Sequence, residues 1–218
     1  MTNHLFSSAL TVGAGCAFSL EPPPCPAAEA ALRRLTAGNA SYLAHEHNTA
    51  KLTDLIRLHT AQEGQHPYAA VVCCADSRVP PEHIFQAGIG ELFVIRNAGN
   101  LVTGSVLASV EYAVCHLHVP LVLILGHRGC GAVASALTHH GEGAPEEAAL
   151  NEWIARVARG IGRVHSPREA ELKNLESALA GLGESPALRK LTAEGKLGVA
   201  GGMYELRTGS VTLLREQI

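Results

Sequence analysis

The chain has 218 residues and a net charge of −3, which is enough length for one sizeable α/β domain and too little for two complete ones. Hydrophobic residues make up 47% of the chain and aromatic residues only 4%. The absence of a strongly basic face argues against nucleic acid as a partner. No apolar run approaches the roughly 20 residues that span a membrane, so we expect no membrane segment.

The N-terminal 26 residues differ in character from the rest of the chain. A proline-rich stretch from Glu21 to Pro26 separates this predicted tail, residues 1–26, from a single domain over residues 27–218. The tail is mildly apolar, but no Lys or Arg precedes Arg33, whereas secretory signals begin with positive charge. We therefore predict a cytoplasmic protein, with export directed by the tail as the alternative.

The six cysteines are irregularly spaced in a chain of this length, which gives little support to a disulfide framework. Reduced thiols that can bind a metal are the more natural interpretation. A bond between Cys16 and Cys25 under oxidising conditions remains an alternative.

Two helices are predicted before the first strand. The first begins at Ala27 in "AAEAALRRLTAGNASYLAH", with Gly38 as an interruption, and the second is "KLTDLIRLHTAQEG", ended by Gly64.

Buried strands and helices then alternate along the chain. The predicted strands are "YAAVVCC", "ELFVIR", "LVLILGH", "KLGVAGGMYEL" and "SVTLL", and the clearest helices between them are "SVLASVEYAVCHLH" and "SPREAELKNLESALAGL". This alternation predicts an α/β fold with a mainly parallel central sheet flanked by helices. We expect four parallel strands and one antiparallel edge strand.

Soft metal ligands follow two of these strands. Cys74 ends the first strand, and His127 and Cys130 form an H-x-x-C pair after "LVLIL", among glycines that let the backbone turn sharply. Functional sites of parallel sheets lie beyond the carboxyl ends of strands. Two thiolates and one imidazole suit Zn²⁺ and leave a fourth position open, as in catalytic zinc sites. The same residues could instead be core thiols and a hydrogen-bonded histidine.

A carboxylate and a guanidinium follow the first of these cysteines. Asp76 is close enough in sequence to reach the open metal position. Arg78 can hold the Asp76 carboxylate by a charge-assisted, bidentate bond. An ordinary turn salt bridge is the simpler alternative. Cys73 should point away from Cys74, because neighbouring side chains of a strand alternate, and we expect it to be a core thiol.

The chain resembles the β-class carbonic anhydrases in several motifs that occur in the same order. These are "CADSRVPPEHIFQAGIGELFVIRNAGNLV", "EYAV", "ILGHRGCGAV" and "GKLGVAGGMYELRTGSV", and the resemblance covers roughly residues 27–214. It implies that Cys74, His127 and Cys130 bind one Zn²⁺ per subunit and that Asp76 and Arg78 form the catalytic dyad. The implied reaction is reversible hydration of CO₂ to bicarbonate and a proton, by a zinc-bound hydroxide that the dyad orients.

The resemblance also implies substrate-binding residues and a partner subunit. Gln65, Phe93, Ala98 and Tyr112 match the substrate pocket of the subgroup whose zinc site is open, although Ala98 replaces a valine that is common there. In a second subgroup of the family the aspartate can itself bind zinc and close the site, and a tryptophan stands at the position of Val71. Because this chain lacks that tryptophan, we expect Asp76 to bond Arg78 and to leave the fourth zinc position open. The family assembles as dimers or higher even oligomers, with the N-terminal helices packed on the partner.

Two other functions remain open from the sequence. Relatives with the same metal site hydrolyse CS₂ or COS, and a non-catalytic zinc-binding regulatory protein could keep the fold without turnover. Because two thiolates partly neutralise the charge of the metal, the metal lowers the pKa of its bound water less. We therefore expect anhydrase activity to rise on the alkaline side of neutral.

Overall fold

Two helices precede the sheet in the computed structural model, which describes residues 24–46, 51–138 and 145–214. Helix α1 spans Pro26–Leu43 and α2 spans Asp54–Glu63. The Thr53 hydroxyl accepts a hydrogen bond from the amide of Ile56 at the start of α2, and Gly64 ends the helix at a φ of 83°. Both predicted helices are confirmed. The predicted tail lies outside the described residues except for residues 24–26.

The expected interruption of α1 at Gly38 is wrong, because the helix continues through it. Gly38 is required by packing instead. A Cβ atom at this position would overlap the carbonyl group of Phe85, so the missing side chain lets α1 approach the segment that follows the first strand. A glycine in a helix therefore marks a close approach here rather than a break.

The five strands form one sheet in the order β2-β1-β3-β4-β5. Their bounds are Ala69–Cys74 for β1, Leu92–Asn97 for β2, Leu121–His127 for β3, Gly198–Tyr204 for β4 and Val211–Leu214 for β5. The first four run parallel, and β5 pairs antiparallel with β4. The prediction of four parallel strands and an antiparallel edge strand is confirmed.

Burial follows the position of each strand in the sheet. Every residue of β1 and β3 is buried, as their continuous apolar runs predict. Strand β2 differs from the expected buried strand, since its residues are half-buried except for the exposed Arg96. The reason is its place at the edge of the sheet, where one side has no neighbouring strand among the described residues.

Helices cover both faces of the sheet. One face packs against α4 (Gly104–Cys115), α7 (Pro167–Leu182) and α8 (Pro186–Ala193), and the other packs against α1 and the short helix α3 (Pro81–Ile84). Helices α5 (Gly131–Leu137) and α6 (Ala148–Ile161) add a third apolar cluster at the carboxyl end of β1. Short 3₁₀ turns span Ala98–Asn100 and Pro145–Glu147. None of the helices in the described ranges is long and apolar enough to cross a membrane.

The strand order places two loops side by side. From β1 the chain moves to β2 on one side, and through α4 it returns to β3 on the other side of β1. The loops that leave β1 and β3 therefore diverge, and a crevice forms at their carboxyl ends, which is where open α/β sheets bind their ligands. Cys74 is the last residue of β1 and His127 is the last residue of β3.

We predict that Gly38→Ala lowers the free energy of unfolding by about 1–3 kcal/mol, because the new methyl group must push α1 away from Phe85. The matched control is Gly104→Ala at the start of α4, where a Cβ atom would meet no atom within 4 Å. Chemical denaturation of both variants measures the difference. Equal stability of Gly38→Ala and the wild type would contradict the packing described here.

Candidate metal centre

Three potential metal ligands meet at the carboxyl ends of β1 and β3. The donor atoms of Cys74, His127 and Cys130 all lie within 4.8 Å of one another, and all three residues are buried. Cys74 and His127 come from adjacent strands, and Cys130 directly precedes α5. The structure thus brings together the three residues that the sequence singled out.

The loop between His127 and Cys130 depends on Gly129, whose φ of 67° lies in the left-handed region that favours glycine. This conformation turns the chain within two residues, so that both side chains face the same point. Hydrogen bonds from the amides of Val133 and Ala132, in the first turn of α5, reach the Cys130 sulfur.

The Cys74 sulfur is surrounded by hydrogen-bond donors. The Cys130 thiol, the nearby His127 imidazole and the backbone amides of Gly99 and Asp76 hold the pKa of the Cys74 thiol well below its usual value, although burial opposes this. The Gly99 amide lies 3.3 Å from the sulfur and the Asp76 amide 3.4 Å from it. Gly99 reaches this position at a φ of 76°, in the 3₁₀ turn that follows β2. These donors favour the thiolate, which is the form that binds metals.

The imidazole of His127 has one satisfied and one unsatisfied nitrogen. Its Nδ1 lies 3.0 Å from the carbonyl oxygen of Arg128 and donates to it, whereas Nε2 is buried and has no hydrogen-bond partner among the described residues. A buried polar atom without a partner is costly. Metal-binding histidines have this arrangement, with one ring nitrogen held by a carbonyl oxygen and the other facing the metal. The donor set therefore fits a metal ion.

Asp76 and Arg78 form a bidentate ion pair next to these ligands. Arg78 Nε donates to Asp76 Oδ1 at 2.9 Å, and Nη2 donates to Oδ2 at 2.7 Å. The Arg78 guanidinium and backbone amide hold the pKa of the Asp76 carboxyl well below its usual range. Asp76 Oδ2 is 4.0 Å from His127 Nε2, so the carboxylate faces the candidate metal position while it bonds Arg78.

Arg96 holds the backbone of the same loop, a role that the sequence analysis missed. Its Nε donates to the carbonyl oxygen of Cys74 at 3.0 Å, and its Nη2 donates to that of Asp76 at 2.6 Å. Position 96 is paired with Cys73 in the sheet, one residue before the cysteine that it supports. A lone arginine at the end of an apolar strand was the available signal.

Glu171 of α7 holds the loop after β3 and was also missed. Its Oε1 accepts from the Gly129 amide at 2.7 Å, and its Oε2 accepts from Arg128 Nη1 at 2.9 Å. Glu171 is buried although it is charged, which requires such partners. Its position in α7, beside the buried Ala170 and one turn before the buried Leu175, was the sequence signal for an inward-facing acid.

Side chains from three elements hold the 3₁₀ turn that supports Cys74. Asn97 bonds both the amide and the carbonyl oxygen of Leu101, at 2.9 and 2.8 Å. Asn174 donates to the Gly99 carbonyl oxygen at 2.8 Å, and Trp153 donates to that of Ala98 at 2.7 Å. The Gly99 amide is thereby kept in position for the sulfur.

The predicted substrate-pocket residues are only partly adjacent to one another. The rings of Phe93 and Tyr112 are 6.1 Å apart, and Tyr112 is 48% exposed. Ala98 is exposed in the 3₁₀ turn, and Gln65 is exposed between α2 and β1. Their role in binding substrate stays a prediction.

Cys73 is buried on the opposite side of β1 from Cys74, and burial raises the pKa of its thiol to about 12. Cys16 lies outside the described residues, so its pairing with Cys25 stays a prediction.

Comparisons with known proteins agree with this site and fold. A sequence model of the carbonic anhydrase family matches residues 69–211. Carbonic anhydrase 2 of Mycobacterium tuberculosis is 38% identical over 159 residues, which cover 69% of this chain and 75% of that protein. The carbonic anhydrase of Mycolicibacterium smegmatis is 34% identical over 195 residues, which cover 84% of this chain and 92% of that protein.

Solved structures lead to the same family. The β-carbonic anhydrase of Coccomyxa in complex with acetazolamide superposes with a TM-score of 0.65 at 30% identity, over 74% of this chain and 78% of that chain. One of two tetrameric β-carbonic anhydrases from Sordaria macrospora gives a TM-score of 0.63 at 27% identity, over 86% of this chain and 96% of that chain. From the family match, these relatives and the shared fold, we conclude that the chain belongs to the β-class of carbonic anhydrases.

Proposed function

We propose that the chain catalyses the zinc-dependent, reversible hydration of CO₂ to bicarbonate and a proton. The observation that supports this most strongly is the position of Asp76. It faces the donor atoms of Cys74, His127 and Cys130 and at the same time forms the bidentate bond with Arg78. A purely structural zinc site would have four protein ligands and would need no held carboxylate beside it.

The donor set favours zinc over other divalent metals. Thiolate and imidazole are ligands that Zn²⁺ prefers, and a set of three protein ligands leaves room for a further molecule. When bound, zinc would supply Lewis acidity that lowers the pKa of a water molecule and so provides a nucleophile near neutral pH.

Asp76 acts in this proposal as a hydrogen-bond acceptor rather than as a base. Arg78 holds the pKa of the Asp76 carboxyl well below its usual range, so the group is ionised at neutral pH. An ionised carboxylate accepts a hydrogen bond from the attacking water and thereby orients it toward the substrate. Since both of its oxygens are bonded to Arg78, the carboxylate has little freedom to turn.

CO₂ is apolar, so its binding requires an apolar surface near Asp76. We propose Phe93, Ala98 and Tyr112 for that surface and Gln65 as a hydrogen-bond donor to substrate or bicarbonate. Phe93 and Tyr112 already contact one another at the edge of the sheet, and the exposed side of Tyr112 is available to a second subunit. The proposed substrate pocket is therefore tied to self-association.

We predict that Cys74→Ala abolishes stoichiometric zinc binding and reduces CO₂ hydration to background, because only two ligands remain. Cys73→Ala is the matched control, since it removes a neighbouring buried thiol from the other face of the strand. Zinc content by elemental analysis and stopped-flow hydration are measured on both variants. Retention of zinc and activity by Cys74→Ala would rule out the ligand set.

We expect Asp76→Asn to bind zinc normally and to lose about 100-fold in kcat, because the amide no longer accepts two charge-assisted bonds and presents a donor where an acceptor is needed. Glu146→Gln in the exposed 3₁₀ turn before α6, away from the metal centre and from α2, is the control for a change of charge. Stopped-flow hydration reports kcat, and zinc content separates a catalytic loss from a lost metal. A kcat within twofold of wild type would contradict the role given to Asp76.

We propose self-association through α1 and α2 as a dimer or higher even oligomer. Helix α1 exposes Leu43, and α2 exposes Leu55 and Leu58, of which Leu55 is 79% exposed. Exposed apolar side chains in this number mark a protein interface. The tetrameric relatives from Sordaria macrospora support the proposal.

We predict that Leu55→Glu combined with Leu58→Glu shifts the protein toward monomer and lowers its activity. Leu150→Glu, a similarly exposed leucine on α6, should leave the oligomer intact. Light scattering coupled to gel filtration measures the mass of each variant. A wild-type protein that elutes as a monomer at micromolar concentration would rule out this interface.

A further inference from the structure

A cavity lies outside the candidate metal centre and contains none of its metal ligands and neither Asp76 nor Arg78. Its volume is about 620 Å³, within the range of roughly 300–1,000 Å³ that is typical of small-molecule sites. It is bounded by the second half of α6, the end of α7, the start of α8 and the segment that leads into α4. The lining residues that carry the argument are Val102, Arg156, Arg159, Ser177, Glu184 and Arg189.

The cavity is strongly cationic in a chain whose net charge is −3. Three arginines line it against a single carboxylate, that of Glu184. Arg156 and Arg159 are three residues apart on α6 and thus lie on the same side of that helix. Arg189 comes from α8, so guanidinium groups approach the cavity from two directions.

These guanidiniums are only partly neutralised by the protein. Arg156 forms an ion pair with Glu152 at 2.7 Å on its own helix, and Arg189 donates to the carbonyl oxygen of Gly183. The Arg159 side chain forms no hydrogen bond or ion pair with any residue that the structure describes, although its backbone belongs to α6. Glu152 bonds Arg156, and although the charge of the nearby Arg159 also helps to lower the pKa of the Glu152 carboxyl, the Arg159 guanidinium keeps its hydrogen-bond donors for an anion.

The remaining walls suggest a ligand with a carbon skeleton. Leu101, Val102 and Ala180 provide apolar surface, and Ser177 provides a hydroxyl. Glycines allow the walls to approach, since a Cβ atom at Gly160 would come within 2.6 Å of Ser177 Oγ. A guanidinium binds carboxylate and phosphate in bidentate fashion, and several together favour a ligand with more than one negative charge.

We propose that this cavity is a binding site for a small organic anion that bears at least two negative charges, as a phosphate ester or as paired carboxylates. The site goes beyond the proposed hydration of CO₂, because bicarbonate carries one charge and fills only a small part of such a volume. Arg159 is the central donor, and Arg156 and Arg189 flank it.

Calorimetric titration of the zinc-loaded protein tests this proposal, with 3-phosphoglycerate as the phosphate probe, succinate as the dicarboxylate probe and glycerol as the uncharged comparison. We expect saturable binding of one or both anions and none of glycerol. Arg159→Gln and Arg189→Gln should each weaken binding about tenfold, the loss typical of one charge-assisted hydrogen bond. Arg163→Gln, which removes an exposed arginine just beyond α6 that does not line the cavity, should bind as wild type.

Three results would overturn the site. These are failure of both anions to bind at millimolar concentration, unchanged affinity in Arg159→Gln, and equal weakening by Arg163→Gln. Unfolding midpoints and stopped-flow hydration of each variant show that the fold and the metal centre are intact. Because no cavity residue lies in the proposed catalytic site, hydration activity should be unchanged, and failure of one proposal is distinguishable from failure of the other.

Discussion

The parallel pairing of β1 with β3 is the constraint on which the rest of this structure depends. It places the last residue of each strand at the same edge of the sheet, so Cys74 and His127 meet although 53 positions separate them. The chain leaves these strands in opposite directions, and the space between the two loops becomes the candidate metal centre. A slip of one residue in this register would turn one ligand toward the opposite face of the sheet.

The loops themselves depend on hydrogen bonds from side chains elsewhere in the fold. Arg96 holds the loop after β1, Glu171 holds the loop after β3, and Asn174 holds the 3₁₀ turn after β2. Each of these side chains bonds a backbone group at or beside a ligand, so it fixes the ligand without touching it. These bonds restrict the backbone of each loop, which suits a site whose donor atoms must be in place before the metal arrives.

Much of this arrangement could be predicted from the sequence, because it depends on local patterns. Continuous apolar runs indicated buried strands, and the residues at their ends indicated where ligands gather. Local patterns do not report which distant element approaches a loop, so the bonds made by Glu171 and Arg96 were missed. The same limit explains the wrong prediction at Gly38, because the close approach of α1 to Phe85 is a tertiary contact with no sequence signal of its own. It also explains the half-buried edge strand β2, whose exposure follows from the order of the strands.

The proposed zinc-dependent reaction is tested by stopped-flow CO₂ hydration with metal-depleted wild-type protein to which zinc is returned in steps. We predict negligible turnover without metal and a linear gain that ends at one zinc per chain, with activity rising toward alkaline pH. A protein that binds one zinc per chain and still does not hydrate CO₂ would contradict it, since the fold, the three ligands and the Asp76–Arg78 pair would then be present without the reaction assigned to them.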